Sequence, residues 1–286
     1  MANCIIDTHI HIWDLQKAEY TWLKEDTSIL NKTYSIKQLT PQIEKAGVTE
    51  GLLVQAANNF EDTDLMMQVA AKTAWIKGVV GWLPLLNPEA TEKALTERFL
   101  DSRYLKGCRH LIHNEVNPKW LLQTKVIESL GILAEHQLTY DIVGINTEHL
   151  KTAIRVAEKL PNLKMVFDHL NQPPIANEER FGEWGELMRV ASQHKNLYAK
   201  ISGLGVTAGN DKNWTKDDLK PYIMQALELF GTNRCFCGGD WPVALLAGRY
   251  ETAWLAYRQI FSEELTADEQ LQVLCNNAVS FYNLTH

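Results

Sequence analysis

The sequence has no uninterrupted apolar run of about 18 residues, the length a membrane-spanning helix needs. It has no cluster of lysines and arginines, and its net charge is −7. Phosphate backbones and anionic membranes are therefore not the expected partners, which removes nucleic-acid binding and membrane association. No basic segment precedes the first apolar stretch, and histidine soon interrupts that stretch, so it does not read as a signal peptide. The five cysteines form no regular framework. Five free thiols in a reducing cytoplasm are the simplest expectation. Cys235 and Cys237 share a strand face and read as small buried apolar side chains. No glycine-rich turn follows the first apolar run, which argues against an open dinucleotide-binding sheet. No repeat, low-complexity tract or linker divides the chain, so residues 1–286 read as one domain.

What the sequence does have is alternation. Short β-rich runs are expected at 4–8, 51–55, 78–82, 107–112, 139–143, 164–167, 197–201 and 234–237. Helical patterns lie between them, at 40–46 (closed by Gly47), 62–74, from Pro88 to about 100, 121–136, 148–160, 178–194 and 217–230. Two more helices end the chain, the second opened by a capping box at Thr266–Glu269. Eight strand–helix units imply parallel strands joined by right-handed crossovers. The expected fold is α/β, a (β/α)8 TIM barrel. The weakly patterned stretch 13–35 follows the first strand and suits a flap over the barrel mouth.

In such barrels the chemistry sits at the carboxyl ends of the strands. The first strand runs into Asp7-Thr8-His9-Ile10-His11, and alternation puts His9 and His11 on one face. The fourth delivers Arg109, His110 and His113, with His110 turned away from Arg109. The fifth carries Tyr140 and Asp141, the sixth ends in Asp168-His169, and the seventh holds Lys200 and Ser202. The eighth runs into Gly238-Gly239-Asp240-Trp241-Pro242. Ionisable groups thus recur at one rim, as a catalytic site requires. Lys200 within a strand needs a partner for its amine. Trp13, Trp22, Trp82 and Trp241 are candidates for ligand stacking or for core packing. His136, His149, His194 and His286 read as solvated.

Taken together, Asp-Thr-His-Ile-His, Gly107-Cys108-Arg109-His110, Asp168-His169-Leu170, Lys200–Leu204, Gly239–Pro242 and the closing Asn277–Tyr282 resemble the amidohydrolase superfamily. Tyr20–Leu23 and the Gly-Asp-Trp-Pro segment resemble its sugar-lactonase branch, typified by L-fuconolactonase and L-rhamnonolactonase. The resemblance implies a barrel hydrolase with His9, His11, His169 and Asp240 at the reacting centre. It implies substrate contacts from Arg109 and Lys200, and of the stacking candidates Trp22 and Trp241 are the expected further substrate contacts. A two-metal centre is not expected, because strand five offers no histidine. One divalent ion held by His9, His11 and Asp240, with zinc favoured, or metal-free catalysis fits better. Gln172 stands where the family pattern leads one to expect lysine.

The expected reaction is hydrolysis of a sugar-acid lactone, a small-molecule substrate, with Asp240 assisting water. The rivals are a metal-dependent decarboxylase or C–C hydrolase on the same barrel, and a non-catalytic carbohydrate-binding protein. The sequence admits a homo-oligomer and points to carbohydrate metabolism in the cytoplasm.

Overall fold

The eight β-rich runs pair in chain order, each parallel to the next. The protein is described here from a computed structural model, which covers residues 4–100, 102–177, 180–209 and 212–285. The strands are β1 (Ile6–Ile10), β2 (Glu50–Val54), β3 (Ile76–Gly81), β4 (Leu105–His110), β5 (Thr139–Ile142), β6 (Met165–Phe167), β7 (Leu197–Ile201) and β8 (Cys235–Cys237). Helices α1 (Ile36–Ala46), α2 (Phe60–Ala70), α3 (Pro88–Lys93), α4 (Thr124–Glu135), α5 (Thr147–Lys159) and α6 (Gly182–Ser192) alternate with them. The short α7 (Leu204–Thr207) and the long α8 (Lys216–Phe230) link β7 to β8. The chain ends with α9 (Tyr250–Glu264), α10 (Ala267–Leu271) and α11 (Asn277–Tyr282). This is the (β/α)8 barrel that the alternation predicts. No helix of the described residues is long and apolar enough to cross a membrane.

Between β8 and β1 the seam is drawn together just beyond the end of β8. The Asp240 amide donates to the His9 carbonyl at 2.8 Å, and the His11 amide to the Trp241 carbonyl at 2.7 Å. Thr8 Oγ1 donates to the Cys237 carbonyl at 2.8 Å. These bonds explain why β1 runs on past Thr8, the expected end, into the histidines. A register irregularity between Asp7 and Ile10 marks the same place.

The core has two parts. A large shell lies between the strands and the surrounding helices. A smaller cluster fills the barrel axis, with Ile6, Val54, Val80, Val166 and Phe236 capped by Phe281 and Tyr282 of α11. The terminal helix therefore plugs the end of the barrel opposite the strand carboxyl ends. Helix starts follow local capping. Ser35 and Gln38 form a capping box, so α1 starts at Ile36 and not at residue 40. The expected capping box at Thr266 and Glu269 is present. Residues 178 and 179, where α6 was expected to begin, lie outside the described residues.

Two expectations are overturned. Cys4 and Cys275 form a disulfide, joining the start of the chain to the turn before α11, so not all five thiols are free. A sequence separation of 271 residues hides such a pair from any spacing rule. Cys108, Cys235 and Cys237 are free and buried, as expected for small apolar side chains. His149 is not solvated: it is buried, and its Nδ1 accepts from the Ile145 amide at 3.2 Å. It caps a turn that periodicity alone does not reveal. His136 and His194 are not buried, and His286 lies outside the described residues.

Candidate active site

Three of the four expected reacting residues line one cavity at the strand carboxyl ends. The cavity has a volume of about 270 Å³, and His11, His169, Asp240 and Arg109 lie along its polar side. The rest is largely apolar, with Trp13, Trp22, Leu111, Val143, Ile145 and Val206 among the lining side chains. That is a small-ligand site in size and character. Trp22 comes from the segment after β1, and its indole donates to the Ala56 carbonyl at 2.8 Å. The segment thus contributes to the cavity mouth, as its position after β1 suggests.

Asp240 is the point of convergence. Its Oδ1 lies 3.5 Å from His11 Nε2, 3.7 Å from His9 Nε2 and 3.9 Å from His169 Nε2. The His9 ring meets His11 and His169 edge-on, with centroids 4.7 and 4.5 Å apart. His9 itself is fully buried and stands one layer below the cavity. Alternation along β1 therefore puts the two imidazoles together as predicted, but at different depths.

The backbone is bent to produce this arrangement. Asp240 has φ +55°, and His169 through Gln172 form four consecutive left-handed residues. Non-glycine residues avoid this region, at a cost of about 1–3 kcal/mol each, and it recurs at functional sites. Gly203, with φ +61°, makes room between the two: a Cβ there would sit 2.6 Å from His169 Nδ1 and 2.8 Å from Asp240 Oδ2. His169 is steadied by Ser202, whose Oγ lies 2.9 Å from Nδ1.

Beneath the cavity is a charged layer. Lys200 Nζ lies 2.5 Å from Asp141 and 2.8 Å from Asp168. Arg109 Nη1 donates to Asp168 Oδ2 at 3.0 Å, and Nη2 donates to the Gln55 carbonyl. Two cations thus face two carboxylates out of water, so neither sign is left uncompensated. Tyr282 donates to Asp141 from below at 2.8 Å. His9 touches this layer as well: Lys200 Nζ and Asp168 Oδ1 lie 3.2 and 3.3 Å from its Nδ1. Asp7 holds the seam from the outer side. It accepts from the amides of His9 at 2.9 Å and Gly239 at 2.7 Å, and from Tyr250 at 2.6 Å.

Burial governs the titration of these groups. It lowers His9 well below the ordinary imidazole range and lowers His11 as well. Both rings are therefore neutral near pH 7. Burial would raise Asp168, but Lys200, His9 and Arg109 hold it well below the carboxylate range. Burial raises Asp141 to about 6 against the pull of Lys200. Burial likewise raises Asp7 to about 7.

Two expected substrate contacts do not reach the cavity. Lys200 is completely buried in the charged layer, where both carboxylates engage its amine. Trp241 is 1% exposed and packs edge-on against Tyr34, 5.4 Å between centroids. Arg109 does line the cavity, though its guanidinium is largely engaged below. His110 faces away from Arg109, as alternation predicts, stacked on Trp120 at 4.0 Å. Gln55 and Asp7, which position Arg109 and the seam, were not singled out from the sequence. An aspartate two residues before the first histidine, closing an apolar run, was the available signal for Asp7.

His9, His11 and Asp240 bring their ligand atoms within 4.8 Å of one another. His11 Nδ1 lies 2.7 Å from the Val54 carbonyl, which fixes its proton there and leaves the Nε2 lone pair facing Asp240. Two imidazoles and a carboxylate are a suitable donor set for zinc. Arg109 Nη1, 3.2 Å from His9 Nε2, competes with an ion for that lone pair. A second trio, His9, Asp141 and Asp168, has the same donor types but closes around the Lys200 ammonium.

Known proteins share this whole arrangement of elements. The chain is 28% identical over 282 residues to the L-fucono-1,5-lactonase of Burkholderia ambifaria, covering 98% of this chain and 95% of that one. It is 26% identical over 239 residues to the L-rhamnono-gamma-lactonase of Scheffersomyces stipitis, covering 74% and 70%. A crystal structure of an amidohydrolase from Burkholderia multivorans with bound zinc superposes with a TM-score of 0.89 at 25% identity, over 99% of this chain and 100% of that one. The amidohydrolase family model matches residues 6–284. With that match over nearly its full length, the chain belongs to the amidohydrolase family.

Proposed function

We propose that this hydrolase opens a sugar-acid lactone, with Asp240 as the proton-transfer group. The observation that carries the reading is Asp240 Oδ1, within 3.9 Å of three imidazole nitrogens beside a small cavity. The lactonase relatives supply the substrate class.

Asp240 accepts a proton from a water molecule as that water attacks the ring carbonyl carbon. The new C–O bond makes a tetrahedral centre with negative charge on the former carbonyl oxygen. His169 and Arg109 line the cavity and are the groups available to stabilise that charge. The ring C–O bond then breaks. Asp240 returns its proton to the departing ring oxygen, giving a free hydroxyl and a carboxylic acid, which ionises. One lactone and one water become one hydroxy acid, and one proton enters the medium. General-base help of this kind contributes about 10²–10⁴-fold. Trp22 and the apolar lining shield the reacting centre from bulk water. A divalent ion, when bound by His9, His11 and Asp240, would act as a Lewis acid and lower the pKa of bound water.

A panel of 1,5- and 1,4-aldonolactones, followed by acid release with and without a chelator, tests the reading. Acid release from at least one lactone is expected. It should fall about 10³-fold in Asp240→Asn with the circular dichroism spectrum unchanged. Release of carbon dioxide from an aromatic carboxylate, with no lactone opened, would replace this reading with a decarboxylase.

A further inference from the structure

His113 is a cavity-lining polar group that the chemistry above does not use. It sits in the 3-10 turn Ile112–Asn114 just after β4, on a wall that also includes Leu111, Val143 and Ile145. Its Nδ1 is shut away from solvent without a hydrogen-bond partner. Burial, then the charge of Arg109, lowers the ring to about 4, with the Val143 carbonyl pulling the other way. The ring is therefore neutral at pH 7, with one donor and one acceptor nitrogen. The Val143 carbonyl is the backbone group that favours a proton on this ring. Such a ring can hydrogen-bond a hydroxyl in either sense, donating from one nitrogen or accepting at the other.

We propose that the His113 imidazole hydrogen-bonds one ring hydroxyl of the lactone and so selects its hydroxylation pattern. The inference rests on the lactonase reading and adds the residue that discriminates among lactones. The other polar side chains of the lining are less suited. Gln172 is exposed, and the Thr207 hydroxyl already donates to the Gly203 carbonyl at 3.2 Å. An imidazole nitrogen among apolar neighbours discriminates well. A lactone without the matching hydroxyl leaves that nitrogen desolvated and unpaired, and such sites reject the deoxy analogue strongly. His113 touches no reacting bond in this scheme, so its effect falls on which lactone is used.

The test compares a polyhydroxylated 1,5-lactone with its set of monodeoxy analogues. In the wild-type enzyme, loss of one particular hydroxyl should lower kcat/KM about 10–100-fold. In His113→Phe, which keeps a ring without a nitrogen, the penalty at that position should fall to about twofold or less, and penalties elsewhere should stay. His113→Leu is the second variant should the phenyl ring disturb folding, and His113→Gln, which keeps an acceptor, should restore part of the penalty. A merely structural role would slow every lactone by the same factor. Lactone opening with every penalty intact in both apolar variants, or with a uniform loss across the series, overturns this inference alone. A wild-type chain that opens no lactone overturns the lactonase reading and this inference with it.

Discussion

Two trios of ligand-type residues share His9, and they have opposite characters. His9, His11 and Asp240 converge beside the cavity. His9, Asp141 and Asp168 converge one layer down, around the Lys200 ammonium. The donor types are alike, so residue type does not separate a trio beside the cavity from one buried in a structural layer. Depth and the occupant do. The upper trio leaves a carboxylate oxygen and an imidazole lone pair free to act. The lower trio spends its charge on holding its own lysine.

The largest expected effect comes from emptying the lower trio. Lys200→Met leaves Asp141 and Asp168 facing each other without their ammonium and should cost about 3–5 kcal/mol of stability in urea titrations. Adding Asp141→Asn should recover part of that loss. A change below 1 kcal/mol would mean that the layer is not an ion-paired support. Gly203→Ala strikes the upper trio: its methyl group would crowd His169 and Asp240, so kcat should drop about 100-fold or more, and the left-handed backbone there should cost about 1–3 kcal/mol of stability as well. Zinc titration of chelator-treated protein sharpens the contrast. One equivalent is expected, weakened more than about 100-fold in His11→Ala and retained in Asp141→Asn.

The smallest effect is in the pH dependence of stability, and its sign differs between the trios. His11 is depressed below 6.5 in the folded state, so the unfolded chain takes up the proton first. Its contribution is present above pH 6.5 and is lost as pH falls. Asp141 is raised from 3.8 to about 6, so the folded state holds the proton longer. Its contribution is full below pH 3.8 and is lost as pH rises to about 6. His11→Asn should flatten the acid limb just below pH 6.5, and Asp141→Asn should steepen the rise in stability between pH 4 and 6. Each change is at most about 1.4 kcal/mol per pH unit. Equal slopes in the two variants would remove the distinction.

The strand order, the barrel and the meeting of His11, His169 and Asp240 at one rim were legible in the sequence. Period-two alternation fixes which face a strand residue takes, and the barrel rule fixes which end matters. Depth along the strand is what alternation does not carry. His9 and Lys200 face the barrel axis as expected, but they lie a layer below the cavity. Trp241 illustrates a second limit: an aromatic beside a cavity-lining residue packs wherever a neighbouring ring gives it area, here Tyr34. His149 and the Cys4–Cys275 bond depend on contacts made only after folding. The left-handed turn at His169–Gln172 had no glycine to announce it, because three imidazoles and a carboxylate drawn together supply the constraint that glycine supplies elsewhere.

The seam between β8 and β1 bears on how the protein is made. The amide of Asp240 is bonded to the carbonyl of His9, so the carboxylate and the first imidazole are joined by the last closure of the sheet. During synthesis the partner of these histidines appears more than two hundred residues after them. No nascent fragment ending before Asp240 can bring that carboxylate to the imidazoles, so the cluster assembles only after the segment that follows β8 has left the ribosome.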